Sequence, residues 1–192
     1  YRQACARLVD FVRVFWVLVE PAQPFEDNWH IGAVCEFLEA WHRREFKNGV
    51  LNLPPGTGKS LLVDVFLQAW IWSTKPGYKF LNCSYDEDLC LRDADKVKTI
   101  VLSEAYQSAW PNTVLRDGEN GARGNVWTTM GGYRFSTSPQ GKGGLGRHFD
   151  DVSVNDPVNP KHVRVTGSGE LGAGLAAAQH WINATMTTRR AN

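Results

Sequence analysis

The 192 residues suit about one domain with room for a core, and 43% hydrophobic with 21% charged residues is an ordinary globular balance. A formal net charge of +1 argues against a free-standing nucleic-acid binder, whose footprint would be strongly basic. Cys5, Cys35, Cys83 and Cys90 show neither CxxC pairing nor histidines at finger spacing, so no zinc or disulfide framework is indicated. They read as buried thiols in a reducing, cytoplasmic setting.

Arg2 to Glu20 reads as a helix stopped by Pro21 and Pro24. Its apolar run, Leu8 to Val19, is too short and, with Asp10 and Arg13, too charged to cross a bilayer. No membrane partner is expected. Asn28 can cap a second helix, Trp29 to about Arg44, with Ile31, Val34, Cys35, Leu38 and Trp41 at helical spacing. His42, Arg43, Arg44 and Lys47 make its basic end, either a solvated face complementing the helix dipole or a surface for DNA or a neighbour.

Gly49 to Leu53 reads as a strand, and Lys59 to Trp72 as a helix apolar nearly all round, hence buried. Tyr78 to Ser84 is a second strand, and Asp86 to about Ala109 one long helix or two. Val126 to Met130 and Tyr133 to Thr137, with Gly131-Gly132 between them, carry a two-residue hairpin signal. Ser138 to Arg147 is glycine-rich and reads as mobile. Asp151 to Val154 reads as a short buried strand with Asn155-Asp156 at its tip, and Leu175 to Asn183 as an Ala-rich helix. No repeat and no clear boundary to a second domain stands out.

The chemistry lies in Leu53-Pro54-Pro55-Gly56-Thr57-Gly58-Lys59-Ser60, set between the expected strand and helix. Glycines at 56 and 58 let the backbone curl around a polyphosphate, with amide groups pointing inward and the new helix adding its positive end. Lys59 would bridge the β- and γ-phosphates, and the Ser60 hydroxyl would sit on Mg2+. The full pattern has glycine six positions before the lysine, where this chain has Leu53. The two prolines that follow donate no hydrogen bond but fall before the cradle, where stiffness is useful.

The ordered set of motifs resembles one family, the ATPase portion of phage large terminase subunits, which drive DNA into a preformed capsid. The residues that carry the resemblance are Phe15-Trp16, Asn28-Trp29-His30, the phosphate loop and Cys83-Ser84-Tyr85, then Gly131 to Phe135, Gly144 to Arg147 and Asn155-Asp156-Pro157. The likeness spans roughly residues 11 to 165. It implies an α/β P-loop NTPase of the ASCE or RecA-like kind, with a mostly parallel central sheet flanked by helices. Residues 1–47 would form an N-terminal helical segment on the adenine side and 48–192 the ATPase core of a single domain. The chain, starting at Tyr1 without methionine, reads as a fragment that ends before the family's coupling motif and shows no nuclease domain.

The resemblance also implies roles. Pro55, Gly56, Thr57, Gly58, Lys59, Ser60 and Leu61 would hold the nucleotide phosphates. Trp29 and His30 would lie near the base, although a core tryptophan and a polar helix-start histidine fit those two equally well. Arg147 would reach the nucleotide of a neighbouring subunit, where a guanidinium spreads over the charge of the transferring phosphoryl group; the other reading is a solvated loop arginine. The family usually has two acids at the strand tip, one for Mg2+ and one for water. Here they are Asn155 and Asp156, and an asparagine carbonyl brings no negative charge. Three outcomes are open: Asp156 does the work with Ser60, phosphates and water holding the metal; a shifted register brings in Asp150 or Asp151; or hydrolysis is weak.

The expected function is thus ATP-driven translocation of double-stranded DNA, with ATP and Mg2+ as cofactors and the chain acting as a homo-oligomeric ring. By resemblance its partners are the portal or procapsid and a small terminase subunit, in host cytoplasm and transiently at the portal vertex. Arg134, Lys142, Lys161 and Arg164 are candidate DNA contacts, each also readable as an ordinary surface charge. A nucleotide-binding assembly module with weak hydrolysis is the first alternative. Another P-loop enzyme, a helicase-like translocase or a small-molecule kinase, is the second.

Overall fold

The computed structural model describes residues 1–116, 125–138, 147–158 and 173–189. They form a mixed α/β structure whose four strands make one mostly parallel sheet. The chain divides into two compact units, Tyr1–Pro76 with Asp95–Leu115, and Gly77–Ala94 with Arg116–Asn192.

In the first unit, helix α1 (Leu8–Val19) turns Leu8, Val9, Phe11, Val12, Phe15 and Val19 inward. The expected helix began at Arg2; the observed one begins at Leu8 because the Glu39 carboxylate accepts the Leu8 amide at 2.6 Å, while Arg2 donates to the Ala109 carbonyl. Helix α2 (Trp29–His42) starts after Asn28, as the sequence suggests, but the Asn28 side chain makes no capping hydrogen bond. It stops at a left-handed Arg44 (φ 66°), with Glu45 N–H donating to Ala40 O and Arg44 N–H to Trp41 O. This pair of bonds satisfies the helix's last carbonyls.

The third helical stretch runs as α3 (Lys59–Leu61), a π-helical turn over Leu62–Phe66, and α4 (Leu67–Thr74). The sequence had ended it at Trp72. Helix α5 (Glu87–Val101) and α6 (Glu104–Ala109) resolve the choice left open for 86–109: there are two helices, because the Ser103 hydroxyl accepts the Tyr106 amide and restarts the chain. Phe11, Phe15, Tyr106 and Trp110 form the aromatic centre of this unit, and the Tyr106 hydroxyl, its pKa pushed up by burial, donates to Ala69 O at 2.9 Å.

In the second unit the sheet order is β2-β3-β1-β4, with β1 at Lys79–Cys83, β2 at Val126–Trp127, β3 at Tyr133–Thr137 and β4 at Asp151–Val154. Strands β3, β1 and β4 are parallel; β2 pairs antiparallel with β3. Side chains alternate between faces. One face carries Leu81, Cys83, Tyr133, Phe135, Val152 and Val154, packed with Phe149 and with Trp181 of helix α7 (Ala173–Arg189). The other carries Phe80, Asn82, Arg134, Ser136, Asp151 and Ser153.

Three sequence expectations change here. Residues 49–53 form no strand. Phe37 and Phe46 pack at 4.9 Å, and a Cβ on Gly49 would fall 2.5 Å from the Phe37 ring, so this stretch follows α2 instead of a sheet, with Val50 92% exposed. The expected two-residue hairpin is a longer connection, since Trp127 pairs with Tyr133 and Thr128 Oγ1 accepts the Gly132 amide. Within that longer connection Gly131 takes the left-handed angle (φ 82°). Strand β4 matches its expected bounds but is only partly buried, because it is an edge strand. Helix α7 is longer than the expected 175–183.

Candidate functional site

The phosphate-loop sequence folds as a curl that opens directly into a helix. Gly56 (φ 81°) and Gly58 (φ 76°) both adopt the left-handed angles that side chains disfavour. Gly58 is the residue before α3, and its carbonyl accepts the Leu62 amide. Lys59, Ser60 and Leu61 are thus the first residues of the helix, the end of a helix that carries its positive pole. A Cβ on Gly56 would meet nothing within 4 Å, and one on Gly58 only the Trp16 ring at 4.0 Å. The space beside both glycines is therefore open, and a glycine turn running into a helix start is a backbone form that suits an anion.

The curl is held from several sides. Thr57 Oγ1 donates to Pro54 O at 2.8 Å, closing the turn that starts at the prolines. His30 Nε2 lies 3.2 Å from Thr57 O, so the first turn of α2 is tied to the loop. Lys59 Nζ rests 3.5 Å from Leu53 O, the position where the full pattern has glycine. Trp16 stacks on Phe66 of the π-helical turn at 5.9 Å and 7°. Single π turns often mark functional helices. Trp29, the other expected base-side residue, is 82% exposed and meets His30 edge-on at 6.2 Å.

In the second unit, the carboxyl ends of β1, β3 and β4 align, the end of a parallel sheet where ligands usually bind. Asn155 N–H donates to Cys83 O at 2.8 Å, Tyr85 N–H to Asp156 O at 3.1 Å, and Ser84 N–H to Thr137 O at 3.2 Å. Asp156 is exposed and left-handed (φ 44°), a conformation aspartate tolerates better than most residues. Asp150 and Asp151 stand at the opposite end. Asp150 accepts the Lys79 amide at 2.8 Å and Asp151 the Tyr78 hydroxyl at 2.9 Å. With a rise of about 3.3 Å per residue, Asp151 is about 13 Å from Asn155 along β4.

Arg147 was expected as an inter-subunit residue. Its guanidinium lies over three rings of its own chain, Trp127 at 5.0 Å, Phe135 at 5.3 Å and Tyr133 at 5.6 Å. Tyr133 donates to His148 O at 2.6 Å; burial pushes its phenol pKa up, and the nearby Arg147 charge pulls it the other way. The paired aromatics at 133 and 135 were visible in the sequence; that they would seat Arg147 was not.

The structure corrects one candidate DNA contact. Arg134 is 0% exposed and donates to Ser136 Oγ at 2.6 Å, because its position in β3 falls on the buried face opposite Tyr133. Lys142, Lys161 and Arg164 lie outside the described residues. So do residues 139–146, which include most of the segment read as mobile. The four cysteines are buried and none is in a disulfide, and burial pushes the Cys35 thiol up to about 12. No described helix is long and apolar enough to cross a membrane.

Among the described residues no group of three or more His, Cys, Asp or Glu is placed to hold a metal. Mg2+ bound with a nucleotide needs no such group, since it takes one or two protein oxygens, phosphate oxygens and water. No protein-family model, no curated protein and no solved structure matches this chain, so its functional reading rests on the residues themselves.

Proposed function

We propose that this chain is the ATP-hydrolysing motor portion of a large-terminase-type protein, which moves double-stranded DNA into a procapsid. The observation that carries it is the curl with left-handed Gly56 and Gly58 opening into a helix at Lys59. The family assignment rests on the motif series that resembles terminases. In this reading the amides of 56–61 and the Lys59 ammonium bind the triphosphate, and Lys59 stabilises charge on the γ-phosphoryl group as it leaves. Asp156 orients the attacking water. Ser60 and Asp156, with Asn155 as a neutral donor, would hold Mg2+, which neutralises phosphate charge when bound. Arg147 would serve a neighbour in a homo-oligomeric ring only after leaving its three rings. The partners by resemblance are a portal or procapsid and a small terminase subunit, and the place is host cytoplasm at the portal vertex.

Phosphate release with and without DNA tests this reading. Turnover stimulated by DNA and lost in a folded Lys59→Ala variant is the expected result; normal turnover in Lys59→Ala would remove the site. A second reading, a nucleotide-gated assembly module with weak hydrolysis, is favoured by one observation. Asn155 is uncharged, and Asp150 and Asp151 are engaged at the far end of β4. ATP binding without multiple turnover would select it.

A further inference from the structure

Strand β1 is paired on both sides, and its fourth residue is Asn82, 2% exposed, where alternation and burial would favour valine or isoleucine. Its partners in register are Ser136 on β3 and Ser153 on β4, so three small polar side chains form a row across one face. Asn82 Nδ2 donates to Ser153 Oγ at 3.1 Å. A buried amide is costly unless it is hydrogen-bonded, and asparagine is a poor strand former. Such a departure from local preference in a buried strand marks a place where position matters more than stability.

The row lies two residues before Asn155 on β4. Past the strand, Asn155 N–H donates to Cys83 O and Tyr85 N–H to the carbonyl of the left-handed Asp156. An edge strand as short as Asp151–Val154 can tilt or slip against its neighbour, and a slip by one residue exchanges its faces. Its entry is pinned by Asp150 on the Lys79 amide and Asp151 on the Tyr78 hydroxyl. Near its exit, the Asn82–Ser153 bond is a side-chain tie that a slipped register could not make.

We infer that Asn82, acting through Ser153, is a positioning residue that sets where the Asn155-Asp156 tip stands. This inference rests on the proposed role of Asp156. Asn82 touches neither nucleotide nor water; it locks the strand that carries the carboxylate. Replacing it with valine keeps the strand and its burial but removes the tie.

The test compares Asn82→Val, Asn82→Thr, Ser153→Ala and Asp156→Ala in the full chain, by steady-state ATP hydrolysis and by amide hydrogen exchange. Asn82→Val and Ser153→Ala should each lower kcat about tenfold while the ATP KM stays within about twofold. Asn82→Thr, whose hydroxyl can donate to Ser153, should recover most of the rate. Exchange at the Asn155 and Tyr85 amides should quicken in Asn82→Val with Leu81 unchanged, a readout that does not need turnover. Unchanged exchange at both amides overturns the inference, as does a full kcat in Asn82→Val when Asp156→Ala is inactive. Equal loss in kcat and nucleotide affinity in both Asn82→Val and Ser153→Ala also overturns it, since that is general disruption. If Asn82→Val does not fold, Ser153→Ala, which removes only a hydroxyl, decides the question. A fully active Asp156→Ala instead removes the proposed role of Asp156, and the exchange result still reports on Asn82 separately.

Discussion

His30 Nε2 stands 3.2 Å from the carbonyl oxygen of Thr57, and because a carbonyl only accepts, that ring nitrogen carries the proton. The bond joins the first turn of α2 to the middle of the phosphate loop. His30→Ala removes this tie and keeps the bond from Thr57 to Pro54 within the loop. A neutral hydrogen bond contributes about 0.5–1.5 kcal/mol, so ATP should bind roughly two- to tenfold more weakly with the fold retained. Calorimetric titration with nucleotide measures this, and unchanged affinity would show that the histidine does not order the loop.

The neutral residue at the strand tip invites the opposite change. Asn155 holds its place through its backbone, donating to Cys83 O, so the side chain can be altered without breaking that bond. Asn155→Asp restores the acid pair typical of the resembled family and should raise ATP turnover several-fold at saturating Mg2+. An unchanged or lower rate would count against Asn155 as a metal-side donor.

Arg147 lies over Trp127, Tyr133 and Phe135. Each cation–π contact at an exposed site contributes about 0.5–1 kcal/mol, and three sharing one guanidinium sum to less than three times that. Arg147→Ala should therefore destabilise the second unit by about 1 kcal/mol, read from urea denaturation. A role in trans adds a separate signature. Specific ATPase activity of the native chain would rise with protein concentration, and Arg147→Ala would lose roughly a hundredfold or more and the concentration dependence with it. Loss of stability with activity intact assigns the arginine to packing alone.

Helix α2 ends on a left-handed arginine. Arg44 has φ 66° while its amide and that of Glu45 complete the terminal hydrogen bonds. A side chain in that region costs about 1 kcal/mol that glycine avoids. Arg44→Gly should raise unfolding stability by up to about 1 kcal/mol, less the lost side-chain contacts. A clear decrease would show that Arg44's own interactions outweigh the strain.

His42 gives the first unit a pH dependence. Burial first, then the positive charges of Lys75, Arg44 and Arg43, lower its pKa from the ordinary 6.5 to about 4. Lys75 Nζ is 3.3 Å from its Nε2, and Trp70 packs edge-on at 5.8 Å. The folded state therefore favours neutral imidazole. The unfolded chain takes up the proton first, so stability is full above about pH 6.5 and falls as pH drops toward 4. His42→Gln should flatten that part of the stability curve, and an equally steep decline in the variant would assign it to other groups.

Local rules placed much of this chain. The buried face of α2 at Ile31, Val34, Cys35 and Leu38, its start after Asn28, the β4 bounds and the glycine curl at 56–58 all follow from spacing, local preference and backbone freedom, which act over a few residues. What needed the tertiary structure were matters of partners. The Gly49–Leu53 run is apolar enough for a strand, yet a strand exists only where a neighbour completes its hydrogen bonds, and Phe37 and Phe46 draw this stretch to α2 instead. Arg134 looks like a surface charge until its register beside Phe80 puts it on a buried face. Asp150 and Asp151 look interchangeable with Asp156 until strand direction sets them at the far end. Asn82 meets Ser153 across 71 positions of chain, a pairing that only the parallel register of β1 and β4 decides. Spacing encodes what neighbours along the chain can do; which distant side chains share a face depends on how strands align, and that is a property of the folded sheet.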